Sequence, residues 1–154
     1  MRLGNVCTRI VHTITCDLPL ADAAREMLAR SVGALAVVES QDGLHRPVGI
    51  LTDRDIVCGQ MNRAADLHCL TVGDVMTANP LTLAEKTGVA EAIDCMSQMG
   101  VRRVLVVNEA GSLRGIVSID DLLPIVADEL GVLAKLLRTH PDPGTRRVAG
   151  GTAR

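Results

Sequence analysis

Apolar side chains in residues 20–30 fall at Leu20, Ala23, Ala24, Met27 and Leu28, with Asp22, Arg25, Glu26 and Arg30 between them. This i, i+3, i+4, i+7, i+8 spacing predicts an amphipathic helix. Val89, Ala92, Ile93 and Met96 predict a second one. Each helix runs out near a glycine, Gly33 or Gly100, suited to the positive φ of a helix C-cap. Two short β-rich runs follow each helix: 34–38 and 48–51 around "SQDG", then 103–107 and 113–117 around "NEAG". Both connections carry turn chemistry. The second run of each pair leads into a further helix, starting at Thr52 or Ser118. Segments 11–15 and 81–83, ahead of the first helices, read as strands. The last helix bears a stripe of Val126, Leu130, Leu133 and Leu137, placed to cover the module or to meet a partner chain. Pro124 within it predicts a kink. From Thr139 onward, "THPDPGTRRVAGGTAR" has no periodicity and is expected to be disordered.

The elements come in two matching sets. Residues 4–38 align with 73–107 at a constant offset of 69, and 49–56 with 115–122 at an offset of 66. "GNVCT" meets "GDVMT", "LAVVE" meets "VLVVN", and "GILTDRDI" meets "GIVSIDDL". Internal repetition of this kind marks one structural unit used twice. Each copy reads β-α-β-β-α and is too small to bury a sufficient core alone, so the two are expected to pack together. The expected organisation is an α/β (α+β) fold with repeat one at 3–62, a connection at 63–72, repeat two at 73–138 and a tail at 139–154.

Composition removes several function classes. The chain is 47 % apolar and 22 % charged with a net charge of −2, which gives no general attraction to nucleic acid or anionic membrane. Phe, Tyr and Trp are absent, so the core is aliphatic and a planar ligand must lie between aliphatic side chains and backbone. The aromatic platforms of single-stranded nucleic-acid binders are excluded. Cys7, Cys16, Cys58, Cys69 and Cys95 are odd in number and widely spaced, which suits reduced thiols better than a disulfide framework. His12 with Cys16, and His68 with Cys69, stand close in sequence without completing a four-ligand metal set. No apolar run has the length of a membrane span and no signal-peptide core stands at the start, so a cytoplasmic protein is expected. A P-loop, a G-x-G-x-x-G and any supported Ser/His/Asp or Cys/His arrangement are lacking, so an enzyme is not expected.

Thr52-x-x-Asp55 and its echo Ser118-x-x-Asp121 admit two readings. As capping boxes, the hydroxyl and the carboxylate satisfy the first N–H groups of a helix, worth about 1 kcal/mol with no ligand needed. As one wall of a site, the exposed helix N-terminus attracts phosphate. A carboxylate in that turn repels phosphate, so Asp55 and Asp121 then suit neutral donors such as ribose hydroxyls, and a separate cation must meet the phosphate. Arg102 and Arg103 open the first strand of copy two, whereas copy one has Gly33 and Ala34 there. These arginines are either that cation or solvated surface charges.

Paired in register, "VMT…P" (75–80), "GILTDRDIV" (49–57) and "VRRVLVVNEAGSLRGIVSIDDLL" (101–123) resemble a tandem pair of CBS domains, a Bateman module, over roughly residues 3–137. The resemblance implies a pseudo-twofold module, commonly a homodimer, whose clefts bind adenosine-containing ligands such as AMP, ADP, ATP or S-adenosylmethionine. It implies a main site of Thr82, Leu83, Arg103, Ser118 and Asp121, with Asp121 on ribose and Arg103 and Ser118 toward phosphate. A weaker site of Thr13, Ile14, Thr52 and Asp55 is implied in copy one. The threonine pairs would border the base, unless they are merely edge strands. The expected function is regulation of an unknown partner protein. The alternatives are a ligand-free dimeric scaffold and a cysteine-based redox or metal sensor.

Overall fold

The computed structural model describes residues 1–63 and 66–139. Parallel strands need a crossover, and each copy supplies one. In copy one, β1 (Thr13–Ile14) passes through α2 (Leu20–Arg30) to β2 (Ala34–Gln41), its parallel neighbour. In copy two, β5 (Thr82–Ala84) passes through α5 (Val89–Met99) to β6 (Arg103–Val107) in the same way. Each crossover is followed by a hairpin: β2 with β3 (Leu44–Thr52), and β6 with β7 (Leu113–Ser118). The hairpins end in α3 (Asp53–Arg63) and α6 (Ile119–Thr139). A break in register recurs at Val37/Val38 and Val106/Val107, equivalent positions of the two copies.

Details depart from the sequence pattern where local chemistry intervenes. The first hairpin runs to Gln41 and resumes at Leu44, because Asp42 and Gly43 both take positive φ in a tight turn. Gly100 caps α5 in the left-handed region, as expected. In α2 that place falls to Ser31, at φ 53°, and Gly33 does not take it. Ser31 is the counterpart of Gly100 at the offset of 69, so the repeat locates the cap better than the nearest glycine does. Helix α6 continues through Pro124.

The opening of each copy belongs physically to the other. The short helix α1 (Leu3–Val6) buries Leu3 completely, and Leu3 and Gly4 donate backbone hydrogen bonds to Thr87 and Glu85 of copy two, both at 2.9 Å. Arg9 adds an ion pair to Glu85 at 2.6 Å. Thr8 and Ile116 exchange backbone bonds at 2.9 and 3.1 Å, laying residue 8 against β7. Conversely, α4 (Val72–Val75) and β4 (Thr77–Ala78) attach to copy one, with β4 pairing antiparallel to β3. Leu70 and Val72 join Ile14, Leu20, Met27, Leu35, Val37, Leu51 and Ile56 in one apolar core. A capping box of Thr71 and Asp74 starts α4. The Thr71 backbone N–H, then its hydroxyl, and finally Arg63 hold the Asp74 carboxyl below its ordinary range. This exchange makes Met1–Leu122 one compact unit containing both hairpins.

The second unit begins at Leu123. Its described part is the remainder of α6, where Leu130, Leu133 and Leu137 are exposed and Val126 is half-buried. The tail read from the sequence lies, from residue 140 on, outside the described residues.

Candidate functional site

The Thr/Ser-x-x-Asp motifs form capping boxes, and each also lines a cleft. The Thr52 N–H and Oγ1 donate to Asp55 Oδ2 at 2.8 and 2.7 Å, and the Asp55 N–H returns to Thr52 Oγ1 at 3.2 Å. Ser118 and Asp121 repeat this at 2.8, 2.6 and 3.3 Å. These are capping boxes at the starts of α3 and α6. In each, one carboxylate oxygen closes the box. Oδ1 makes no hydrogen bond within the described residues and is left to accept from a ligand.

Each motif faces a cleft whose opposite wall comes from the other copy, a consequence of the exchanged openings. Thr52 and Asp55 line a cavity of about 360 Å³ with Thr77–Leu81 and 101–103 of copy two. Ser118 and Asp121 line one of about 210 Å³ with Thr8, Ile10–His12 and Val32–Ala34 of copy one. Only the larger falls within the usual range for small-molecule pockets, roughly 300–1,000 Å³.

This geometry regroups the residues read from the sequence. Arg103, Ser118 and Asp121 line one cleft and Thr52, Asp55 and Arg103 the other, whereas Thr82, Leu83, Thr13 and Ile14 are among the lining of neither. Thr82 and Leu83 pair in register with Leu105 and Val106, and Thr13 and Ile14 with Ala36 and Val37. Ile14 is buried in the core. The cleft walls come from just upstream, at Asn79, Pro80 and Leu81, and at the equivalent Ile10, Val11 and His12. Asn79 takes a positive φ of 51°, which turns the chain ahead of β5. The sequence signal for this wall was "ANP" (78–80), a turn just before a strand. Its assignment to the opposite copy had no local signal.

Among the described residues, Arg103 is the one arginine that lines both clefts. In the β6–β7 ladder it stands opposite Ser118, which brings it to the Asp121 cleft. At the same time the start of β6 forms part of the Asp55 cleft. The side chain is half-buried and, among the described residues, pairs with no carboxylate. Arg102 lines the Asp55 cleft alone and lies 3.6 Å from Asp120. Copy one places Ala34 opposite Thr52; Ala34 lines the Asp121 cleft without a charge and does not line the Asp55 cleft. Arg103 thus shares one cleft with Asp55 and the other with Asp121.

The other polar groups assemble nothing comparable. Among the described residues no three of His, Cys, Asp and Glu gather to hold a metal ion. The Cys16 thiol meets the Met76 sulfur at 4.0 Å, and burial, then Glu39 and Asp17, push it up, which disfavours the reactive thiolate. No helix among the described residues is long and apolar enough to cross a membrane.

Two copies of a β-α-β-β-α unit, sharing their openings and enclosing two related clefts, define a tandem-repeat module. The chain belongs to the CBS domain family, whose model matches residues 3–59 and 72–128. It is 35 % identical over 127 residues to an uncharacterised 17.7 kDa protein of Acidianus ambivalens, covering 82 % of this chain and 74 % of that one. It is 30 % identical over 120 residues to an arabinose 5-phosphate isomerase of Escherichia coli, covering 78 % of this chain but only 36 % of the isomerase. Its fold matches a CBS domain protein of Pyrobaculum aerophilum, solved as a complex with AMP, with a TM-score of 0.71 and 24 % identity. That match covers 90 % of this chain and 99 % of the other.

Proposed function

We propose that this chain is a non-enzymatic regulatory module that binds an adenosine-containing ligand, of the AMP, ADP or ATP type, and thereby modulates a partner protein. The observation that carries the reading is one cleft of about 360 Å³ lined both by Asp55, with its open carboxylate oxygen, and by Arg103, which pairs with no carboxylate among the described residues. The carboxylate suits ribose hydroxyls and the guanidinium suits phosphate. Ile50, Leu81 and Val101 offer the aliphatic faces between which a base must lie in a protein without aromatic residues. The AMP bound by the Pyrobaculum aerophilum protein, which shares the fold, supports the same ligand class. Arg103 favours phosphate-bearing ligands over S-adenosylmethionine, whose sulfonium adds positive charge.

Without Trp or Tyr the protein barely absorbs at 280 nm, so a 260 nm band in purified material reports a retained nucleotide. Calorimetric titration with AMP should then show micromolar to millimolar binding. Absence of heat with AMP, ADP, ATP and S-adenosylmethionine alike, in nucleotide-free protein, rejects the proposal.

The apolar stripe of α6 favours assembly as a second property. Leu130, Leu133 and Leu137 are 61 %, 57 % and 79 % exposed, a costly surface unless another chain covers it. The reading is a homodimer. Sedimentation should report a dimer for the natural chain and a monomer for Leu130→Glu/Leu133→Glu; a natural monomer would remove this part.

A further inference from the structure

The clefts are alike in construction and unlike in charge. Around the Asp55 cleft stand Asp55, Arg102 and Arg103; around the Asp121 cleft stand Asp121, His12 and Arg103. The position that supplies Arg103 in copy two supplies Ala34 in copy one, so among the described residues a single unpaired guanidinium lines both clefts. Its reach is visible at Gly33: a Cβ built there would lie 4.0 Å from Arg103 Nη2 and 3.5 Å from Asp53 Oδ2. The Asp121 cleft therefore has a further carboxylate near its edge and only the shared guanidinium of Arg103, whereas the Asp55 cleft is also lined by Arg102.

We propose that Arg103 couples the two clefts, so that an anionic ligand held in one weakens the uptake of a second in the other. This coupling rests on the nucleotide-binding reading above. A phosphomonoester carries a charge of about −1.5 to −2. One phosphate therefore already exceeds the single positive charge of Arg103. If the guanidinium turns wholly to the Asp55 cleft, the Asp121 cleft keeps its carboxylate and loses its arginine. If it donates to both phosphates at once, two multiply charged anions repel across it. Either geometry makes the second binding event weaker than the first, and the coupling is reciprocal. A neutral nucleoside has no phosphate to compete for Arg103 and escapes the effect.

The test compares AMP with adenosine by calorimetric titration of the full chain. Any intrinsic difference between the clefts appears in the adenosine affinities, and the gap between the two binding steps should be about tenfold or more wider for AMP. Ala34→Arg supplies the missing cation and should narrow the AMP gap to the adenosine gap. If that variant fails to fold, Arg103→Gln carries the test: it should lower both AMP affinities to the adenosine level and close the excess gap. Equal gaps for AMP and adenosine in the natural chain overturn the coupling and leave the binding function standing. So does an excess gap that survives Ala34→Arg or Arg103→Gln. Loss of all binding to both ligands in the natural chain overturns the function and the coupling together.

Discussion

Gly115→Leu should lower the stability of the chain by about 1–3 kcal/mol, the usual cost of forcing a side chain into a filled space. Gly115 sits in β7 with its α-carbon against the opening of the other copy. A Cβ there would lie 2.6 Å from Cys7 Sγ, 2.9 Å from Cys7 Cβ and 3.1 Å from the Thr8 carbonyl oxygen. Cys7 is short and Thr8 presents backbone, so neither can fold away. The opening segment would have to lift, and the Thr8–Ile116 exchange of hydrogen bonds would go with it, each bond worth about 1 kcal/mol. At the equivalent Gly49 the neighbour is the flexible end of Met76, so Gly49→Ala should cost less. Urea unfolding of the two variants measures the difference. Because Thr8 and residues 10–12 wall the Asp121 cleft, Gly115→Leu should weaken that cleft for AMP as well. An unchanged unfolding midpoint would mean that the opening does not depend on this seat.

Asp55→Ala should weaken AMP binding by about ten- to a hundredfold, the effect of losing hydrogen bonds to a charged acceptor worth about 1.5–3 kcal/mol. Asp121→Ala should weaken the stronger AMP step much less. Both variants break a capping box of the same geometry and lose about 1 kcal/mol of helix-start stability, so each controls for the other's structural cost. The difference between them isolates the role of the carboxylate in the ligand site. From the motifs alone the larger effect falls on Asp121, beside Arg103 in the same copy. The exchanged openings move it to Asp55. Equal losses in the two variants would return the carboxylates to a purely structural role.

The elements themselves were legible because their signals are local. Apolar spacing placed α2 and α5, and the pattern "SIDD" fixed the start of α6. The equivalence of Ser31 with Gly100 is also present in the repeat, at the offset of 69. The membership of each cleft was not legible. Alignment puts Thr82 beside Arg103 as members of one copy, whereas backbone pairing carries 77–78 onto β3 and residue 8 onto β7. Those contacts join residues far apart in the chain, and no periodicity records them. Arg103 shows the same limit. Its residue type announced a phosphate partner, but its position between two clefts depends on its facing Ser118 across the ladder while β6 opens toward Asp55.

The claim that a ligand lies between the first motif and the second copy's opening is tested most directly by a crystal structure of the full chain with AMP. The expected electron density shows ribose hydroxyls on Asp55, the base between Ile50, Leu81 and Val101, and phosphate on Arg103. AMP seated on Asp121 with the Asp55 cleft empty, or bound away from both clefts, would contradict it.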